Sequence, residues 1–435
     1  MDPYIVLIFF LILFFTAIFL GMPIGFAMAL IGFAGASYFM TIGAGLSTLR
    51  TVPYTTGSKY EMSVIPLFVL MGEIAFRAGL SRDLYEGIHK ILANVRGSLA
   101  MATIGGCAGF AAICGSSLAT SATMGSVALP EMKKLKYNPK LATGSVAAGG
   151  TIGIMIPPSI GLVIYGTITD TSIGKLLLAG FMPGLLLTVL FMLTIFIIIR
   201  IKPNWGGRMT PSVSIKDRGS RSKGLGMIFV LFLIVIGGIY SGIFTPTEAS
   251  GIGAFGAFIM MLIKGQANRH NLMQCFFHTG RTVGLIFCIM IGAFIFNYFM
   301  AVSNMPIELA GFVGGLPIPR LGILITILFF FMLLGCIMDA MAMLILTVPV
   351  FLPLLVHLGY DPIWFGVVVT LIGEIGLITP PIGLNVFVIR GVAPDVPMYD
   401  IFQGIIPFAV TALFCLVLLI AFPQIALFLP NTMSR

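Results

Sequence analysis

Residues 130–158, PEMKKLKYNPKLATGSVAAGGTIGIMIPP, return in degenerate form as residues 353–381, PLLVHLGYDPIWFGVVVTLIGEIGLITPP. Pro130 aligns with Pro353, and Leu135-x-Tyr137-Asn138-Pro139 with Leu358-x-Tyr360-Asp361-Pro362. Gly150-x-x-Gly153-x-x-x-Pro157-Pro158 aligns with Gly373-x-x-Gly376-x-x-x-Pro380-Pro381, always at an offset of 223 residues. Further out, Pro23 and Pro246 keep that offset, as do Phe76 and Phe299. AGFMPG around Gly180 and Pro183 matches QGIIPF around Gly404 and Pro407 at 224, a slip that one inserted residue explains. One spacing held across separate segments implies two homologous halves, 1–200 and 224–435, joined by the polar stretch 201–223.

Hydrophobic residues make up 58% of the chain and charged residues 9%, against about 25% charged in a soluble domain. The chain is therefore expected to be an integral membrane protein. Apolar runs of membrane-spanning length recur along it, and in lipid such runs form helices because a helix satisfies its own backbone. Met1-Asp2-Pro3 offers no basic n-region, so the first apolar run reads as a retained helix rather than a signal peptide. The six cysteines (107, 114, 275, 288, 336 and 415) lack metal-ligand spacing and read as small buried hydrophobes. The four histidines (89, 270, 278 and 357) fall at predicted loops or helix ends.

The first half reads as helices over about 4–20, 23–40 and 62–77, then two short apolar pieces, 99–114 and 116–130, meeting near Gly115. An interrupted helix over about 143–166 and a helix over about 177–200 follow. Each short piece is poorly suited to spanning alone, and together they suit a re-entrant hairpin over 99–130. The second half is expected to hold its hairpin over 321–354 and its broken helix over 363–389. Five crossings per half, an odd number, force the second half upside down. The expected fold is thus all-α integral membrane: two inverted-topology repeats, each with five spanning helices, one re-entrant hairpin and one proline-broken helix.

Basic residues fit this topology. Nineteen of the 24, including Lys133, Lys134, Lys136 and Lys140, fall on one face, and Arg50, Lys59, Lys175, Arg320 and Arg435 on the other. The rich face is expected to be cytoplasmic, with both termini on the opposite side. This distribution also accounts for the net charge of +9 without nucleic acid. The linker 201–223 then lies in the cytoplasm, solvated or lying along lipid headgroups through its basic residues and Trp205.

Within the apolar runs there are acids, Glu73, Asp339 and Glu374, but no bases. A carboxylate at the bilayer centre costs about 2.5–3.5 kcal/mol on insertion scales, so it normally faces a partner or a wet cavity. Asp339 lies in the second hairpin tip, GCIMDAM, and a mobile cation is its expected partner; Glu73 and Glu374 have helix capping or an interface as competing roles. The first tip, Cys114 to Thr123, supplies hydroxyls beside helix-breaking Gly115, and the offset sets Ser116 opposite Asp339. A half-helix starting at Ser116 would aim unpaired N–H groups at an anion. Packing between helices is the competing role for those hydroxyls.

The paired prolines remove backbone donors and push the preceding residue out of the α region, so both helices should break there. Carbonyls freed near Gly149, Gly150, Thr151 and Gly153, and near Gly373, Gly376 and Thr379, suit a hard cation. Asn385, one turn past the second pair, is a candidate for facing the substrate; its counterpart Leu162 is apolar.

GSSLATSAT, LKYNPKLATG, GTIGIMIPPS and ITPPIGLN, together with nearly the whole chain, resemble the large membrane (DctM-like) subunit of tripartite ATP-independent periplasmic (TRAP) transporters. The resemblance extends to the ion-transporter superfamily of elevator transporters. It implies Na⁺-coupled import of small organic acids, of the sialic acid or C4-dicarboxylate class, by an elevator motion. It also implies a separate small four-helix membrane subunit, a periplasmic substrate-binding protein and a place in the bacterial inner membrane, with both termini periplasmic. Carried over by position, one Na⁺ site would use Ser116 and Ser117 with backbone of Gly150, Thr151 and Gly153. A second would use Gly335, Met338 and Asp339 with Gly373, Gly376 and Thr379. The substrate would lie between the tips, near Ser116, Ser117, Thr120, Pro157, Pro158, Pro380, Pro381 and Asn385.

Three other classes fit the sequence less well. A conventional Na⁺/carboxylate symporter would dispense with the binding protein. An intramembrane hydrolase using Asp339 or Ser116 needs a base at the same depth, and none is expected there. An ATP-driven pump would carry a phosphate-binding loop, and this chain has no GxxxxGK[ST] motif.

Overall fold

The computed structural model describes residues 3–92, 95–207, 223–304 and 317–433. Among them every regular element is an α-helix or a short 3₁₀ turn. Local chemistry sets many of the boundaries. The repeated Tyr-Asn-Pro and Tyr-Asp-Pro triplets start helices, because Asn138 and Asp361 accept the orphan N–H groups of Lys140 (2.9 Å) and Ile363 (2.7 Å). The proline that follows each supplies a first helical residue with no N–H to satisfy. Thr245 and Glu248 form a reciprocal capping box before Pro246.

In the first half, α1 (Pro3–Phe19), α2 (Ile24–Phe39) and α3 (Ile42–Ser58) lead into α4 (Val64–Arg77) and α5 (Leu80–Leu92). The arms α6 (Ser98–Cys114) and α7 (Ser117–Lys134) follow, then α8 (Pro139–Thr151), a 3₁₀ turn, α9 (Ile160–Thr169) and α10 (Ile173–Ile201). The second half runs α11 (Lys223–Tyr240), α12 (Pro246–Ile263) and α13 (Arg269–Val302), and then arms α14 (Arg320–Gly335) and α15 (Ala340–His357). It ends with α16 (Pro362–Ile378), α17 (Leu384–Val392), α18 (Met398–Ala421) and α19 (Gln424–Thr432). Helices α10, α12, α13, α15 and α18 are each long and apolar enough to cross a membrane. The arm α15 thus reaches spanning length on its own.

Packing between the halves is reciprocal. Helix α2 lies on α13, and their counterparts α12 and α4 lie on each other. Arm α7 meets α17 while arm α15 meets α9, and α8 packs on α18 while α16 packs on α10. Small residues let the backbones close. A Cβ on Gly32 would sit 2.6 Å from the Phe296 nitrogen, one on Gly25 2.6 Å from the Cys288 carbonyl oxygen, and one on Gly292 would collide with the Gly25 carbonyl. Buried Phe10, Phe14, Phe296 and Phe299 fill the rest of this seam with edge-on and tilted ring contacts.

Two helices depart from the sequence expectation. Segment 42–58 forms α3 although it carries Pro53 and a run of Ser and Thr. Segment 80–92, expected as a loop, forms the amphipathic α5, bent by 65° from the helical stretch Tyr60–Arg77. Its polar face holds Asp83, which pairs with Lys264 of the other half.

Lys133 pairs with Asp395 at 2.6 Å and Lys140 with Asp400 at 3.2 Å, again joining the halves. The hydrogen bond from Lys133 holds the Asp395 carboxyl below its usual range. Of the linker, residues 208–222 lie outside the described residues. Trp205 meets the folded chain, its carbonyl accepting from the Asn138 N–H at 3.1 Å and its ring lying under the Lys202 ammonium.

Valine at Gly292 would drive a side chain into the Gly25 backbone, which cannot rotate away. Overpacking of this kind costs about 1–3 kcal/mol, so Gly292→Val is expected to lower the thermal unfolding midpoint in detergent. Gly280→Val, where nothing lies within 4 Å of a Cβ, should leave that midpoint nearly unchanged.

Candidate functional site

Both hairpin tips are capped helix starts facing a broken helix. Ser116 caps α7, its hydroxyl accepting from the Ala119 N–H at 3.4 Å, and Asp339 caps α15, its carboxylate accepting from the Met341 N–H at 3.1 Å. These two residues are the pair that the 223 offset aligns. Gly115, in the left-handed region at φ 64°, turns the chain between α6 and α7.

The breaks differ in form. In the first half α8 gives way at Thr151 to a 3₁₀ turn, and Pro157-Pro158 follows before α9. In the second, α16 continues to Ile378, directly before Thr379 and Pro380-Pro381. Gly150 and Gly153 are matched by Gly373 and Gly376, but Gly149 adds a further weak helix former to the first helix where the second has Ile372. Each proline pair contains a cis peptide bond.

A single backbone hydrogen bond ties each tip to its break. The Ile160 N–H donates to the Gly115 carbonyl at 3.4 Å, and the Gly383 N–H donates to the Cys336 carbonyl, also at 3.4 Å. The expected ion ligands gather around these stitches. A Cβ on Gly153 would lie 2.7 Å from both the Ser116 carbonyl oxygen and Thr120 Oγ1, and one on Gly150 would collide with Ser121 Oγ. In the second half a Cβ on Gly376 would lie 2.6 Å from the Gly335 carbonyl carbon, and one on Gly335 3.1 Å from the Gly373 oxygen. Thr151 and Thr379 donate their hydroxyls to their own helices, at the carbonyls of Ala148 and Ile375, both 2.6 Å. Met338 is buried and Asp339 partly so.

Other expected residues are placed differently from one another. Pro157 and Pro158 are buried, whereas Pro380 and Pro381 are exposed, so the two breaks do not open equally to their surroundings. Asn385 is fully buried and donates through Nδ2 to the Ala147 carbonyl at 3.4 Å, crossing between the halves. Glu73 lies on α4, 3.9 Å from Arg77 and next to Gly72, where a Cβ would sit 3.1 Å from the Cys114 Cα of the first tip.

Glu374 stands out against the sequence expectation. It is fully buried on α16, and Ser117 of the first tip donates to its Oε1 at 2.9 Å. The offset aligns it with Thr151, itself a candidate ligand; that register is the signal that would have raised its rank. The donors are oxygen throughout, and no cluster of three or more His, Cys, Asp or Glu exists among the described residues. Hydroxyls, carbonyls and single carboxylates suit a hard monovalent cation.

An all-helical, multi-pass membrane protein whose polar centre lies at paired helix breaks has the architecture of the secondary-transporter class. The chain belongs to the DctM component family of tripartite ATP-independent periplasmic transporters, whose model matches residues 11–425. It is 33% identical over 379 residues to the C4-dicarboxylate TRAP transporter large permease protein DctM of Pseudomonas aeruginosa, covering 87% of this chain and 88% of that protein. It is 30% identical to the sialic acid TRAP transporter large permease protein SiaM of Vibrio cholerae, covering 95% and 96%. The fold is similar to the crystal structure of the Alcanivorax borkumensis YdaH transporter, described as having an unusual topology, with a TM-score of 0.65 at 16% identity over 88% of this chain and 90% of that one. Its curated relatives are permeases, and the chain is a transport protein rather than an enzyme.

Removing the Ser117 hydroxyl would strip a buried carboxylate of its one side-chain partner among the described residues, a loss of about 1–3 kcal/mol. A double-mutant cycle of Ser117→Ala and Glu374→Gln, read by thermal unfolding, is expected to give a coupling of about that size. Additive effects would mean that the bond contributes nothing.

Proposed function

We propose that this chain is the translocating subunit of a Na⁺-coupled importer of small organic acids, fed by a periplasmic binding protein and partnered by a small four-helix membrane subunit. The observation that carries the ion coupling is the matched pair of stitched breaks, each combining a helix start, freed carbonyls and close-packed glycines. Cations would bind at the breaks, one with Ser116, Ser117 and the Gly150–Gly153 backbone, the other with Asp339, Gly335 and the Gly373–Gly376 backbone. Helix starts at Ser116 and Asp339 would offer N–H groups to a substrate carboxylate between the tips. Such a site reads backbone geometry more than side-chain identity, which accords with relatives named for C4-dicarboxylate and for sialic acid.

The reciprocal contacts support a two-fold relation between the halves, and an odd number of crossings in each half would make that relation an inverted one. In that arrangement α6–α7 and α14–α15 are re-entrant hairpins. They would move with the broken helices as one body against a scaffold that includes the α2–α13 and α4–α12 pairs, an elevator motion. Three ion pairs between the halves, Lys133–Asp395, Lys140–Asp400 and Lys264–Asp83, each join segments that the charge distribution assigns to the cytoplasmic face of the inner membrane. Both termini then lie in the periplasm.

Uptake of labelled succinate and sialic acid into proteoliposomes holding this chain and its small subunit is expected to require both a Na⁺ gradient and the binding protein. Uptake that needs Na⁺ alone would make it a conventional symporter. Asp339→Asn should fold normally and weaken the apparent Na⁺ affinity of transport about tenfold or more, the scale of a lost charged hydrogen-bonding ligand; unchanged affinity would remove Asp339 from the ion site.

A further inference from the structure

We propose that Glu374 and Ser121, with Ser117, hold a sodium ion at the junction of α7, α8 and α16, one turn along α7 from the position at the first break, with which it shares Ser117. The proposal rests on the sodium-coupled reading above and extends it to two ligands, Glu374 and Ser121, that the reading does not include.

Four buried oxygens without a hydrogen-bond partner belong to this region: Glu374 Oε2, Ser121 Oγ, Thr120 Oγ1 and Asn385 Oδ1. Ser117 and Ser121 lie one turn apart on α7, and both face Gly150 of α8. A Cβ there would collide with Ser121 Oγ and lie 3.1 Å from the Ser117 carbonyl oxygen. Glu374 enters from α16, where its Oε1 accepts from Ser117 Oγ at 2.9 Å. Asn385 is anchored on Ala147, one turn before Gly150. Carboxylate, hydroxyl and carbonyl oxygens from both halves therefore meet where glycine keeps α8 clear.

Charge makes an ion the fitting occupant. No Lys, Arg or His pairs with Glu374 among the described residues; Lys140, the basic residue at the start of α8, is engaged with Asp400 and Gln403. A buried carboxylate with no counter-charge is strongly unfavourable, and neutral hydroxyls supply none. One carboxylate balances a monovalent ion, whereas a divalent one would leave net positive charge in an apolar surrounding. Asp339, the other carboxylate of the tip region, caps α15 at the second tip.

The test is equilibrium binding of radioactive sodium to the purified chain in lipid nanodiscs. Glu374→Gln is expected to lower the number of bound ions by one. Ser121→Ala, which keeps the charge, should weaken one ion about threefold or more, and it remains informative if the Gln variant does not stay monodisperse. Ser116→Ala and Asp339→Asn should each affect a different ion. Wild-type stoichiometry and affinity in both Glu374→Gln and Ser121→Ala would overturn the site. So would a Ser116→Ala/Glu374→Gln double variant that loses no more than either single one, since Glu374 would then belong to the tip position. A wild-type chain that binds no sodium would instead overturn the sodium-coupled reading itself.

Discussion

A helix broken in an apolar surrounding leaves N–H and C=O groups that no water can satisfy, so each break needs a partner supplied by the protein. Here the partner of each break is a second break. Gly115 and Cys336 offer carbonyls at the hairpin tips, and Ile160 and Gly383 return N–H groups from the broken helices. Each tip and the broken helix it meets share a backbone hydrogen bond, which joins them as one structural unit. The surrounding packing serves this arrangement: Gly150, Gly153, Gly335, Gly373 and Gly376 sit where a Cβ would keep the two backbones apart.

The same constraint explains why binding chemistry collects where it does. Carbonyls that make only one hydrogen bond retain a lone pair, and a helix start retains N–H groups, so the polar groups that accommodate a break also suit ions and anions. Ser116 and Asp339 illustrate the economy of this solution. Each satisfies one orphan N–H of its own helix and keeps oxygen lone pairs free. Structural capping and ion binding are therefore compatible roles for these side chains.

Much of this was legible in the sequence because it is encoded locally. Proline pairs, the Asn-Pro and Asp-Pro helix starts and the glycine spacings act within a few residues, and the repeat supplied each with a second instance. The helix α5 was obscured because its alternation of charged and apolar residues resembles a loop in a chain dominated by apolar runs. Helix α3 carries a proline and many hydroxyls, and tertiary contact with α2 and α13 outweighs that weak propensity. The Ser117–Glu374 bond joins residues 257 positions apart in different halves, and no periodicity within either half encodes it. The unequal exposure of the two proline pairs likewise depends on which neighbours cover them, a property of the assembled halves.

The repeat also shows where equivalence ends. Ser117, Thr120 and Ser121 on α7 correspond to Ala340, Met343 and Leu344 on α15, so the hydroxyls belong to one half only. Asp339 and Glu374, the carboxylates of the tip region, both belong to the other half. A hydroxyl cluster alone binds a cation weakly, and a buried carboxylate alone is costly. The fold removes both defects by swapping partners, setting Glu374 of α16 against Ser117 of α7. Neither half could assemble that pairing from its own residues. Contact between the halves is therefore a requirement of the polar centre itself, and divergence of the two repeats, which leaves their backbone stitches alike, is what gives the centre its charge.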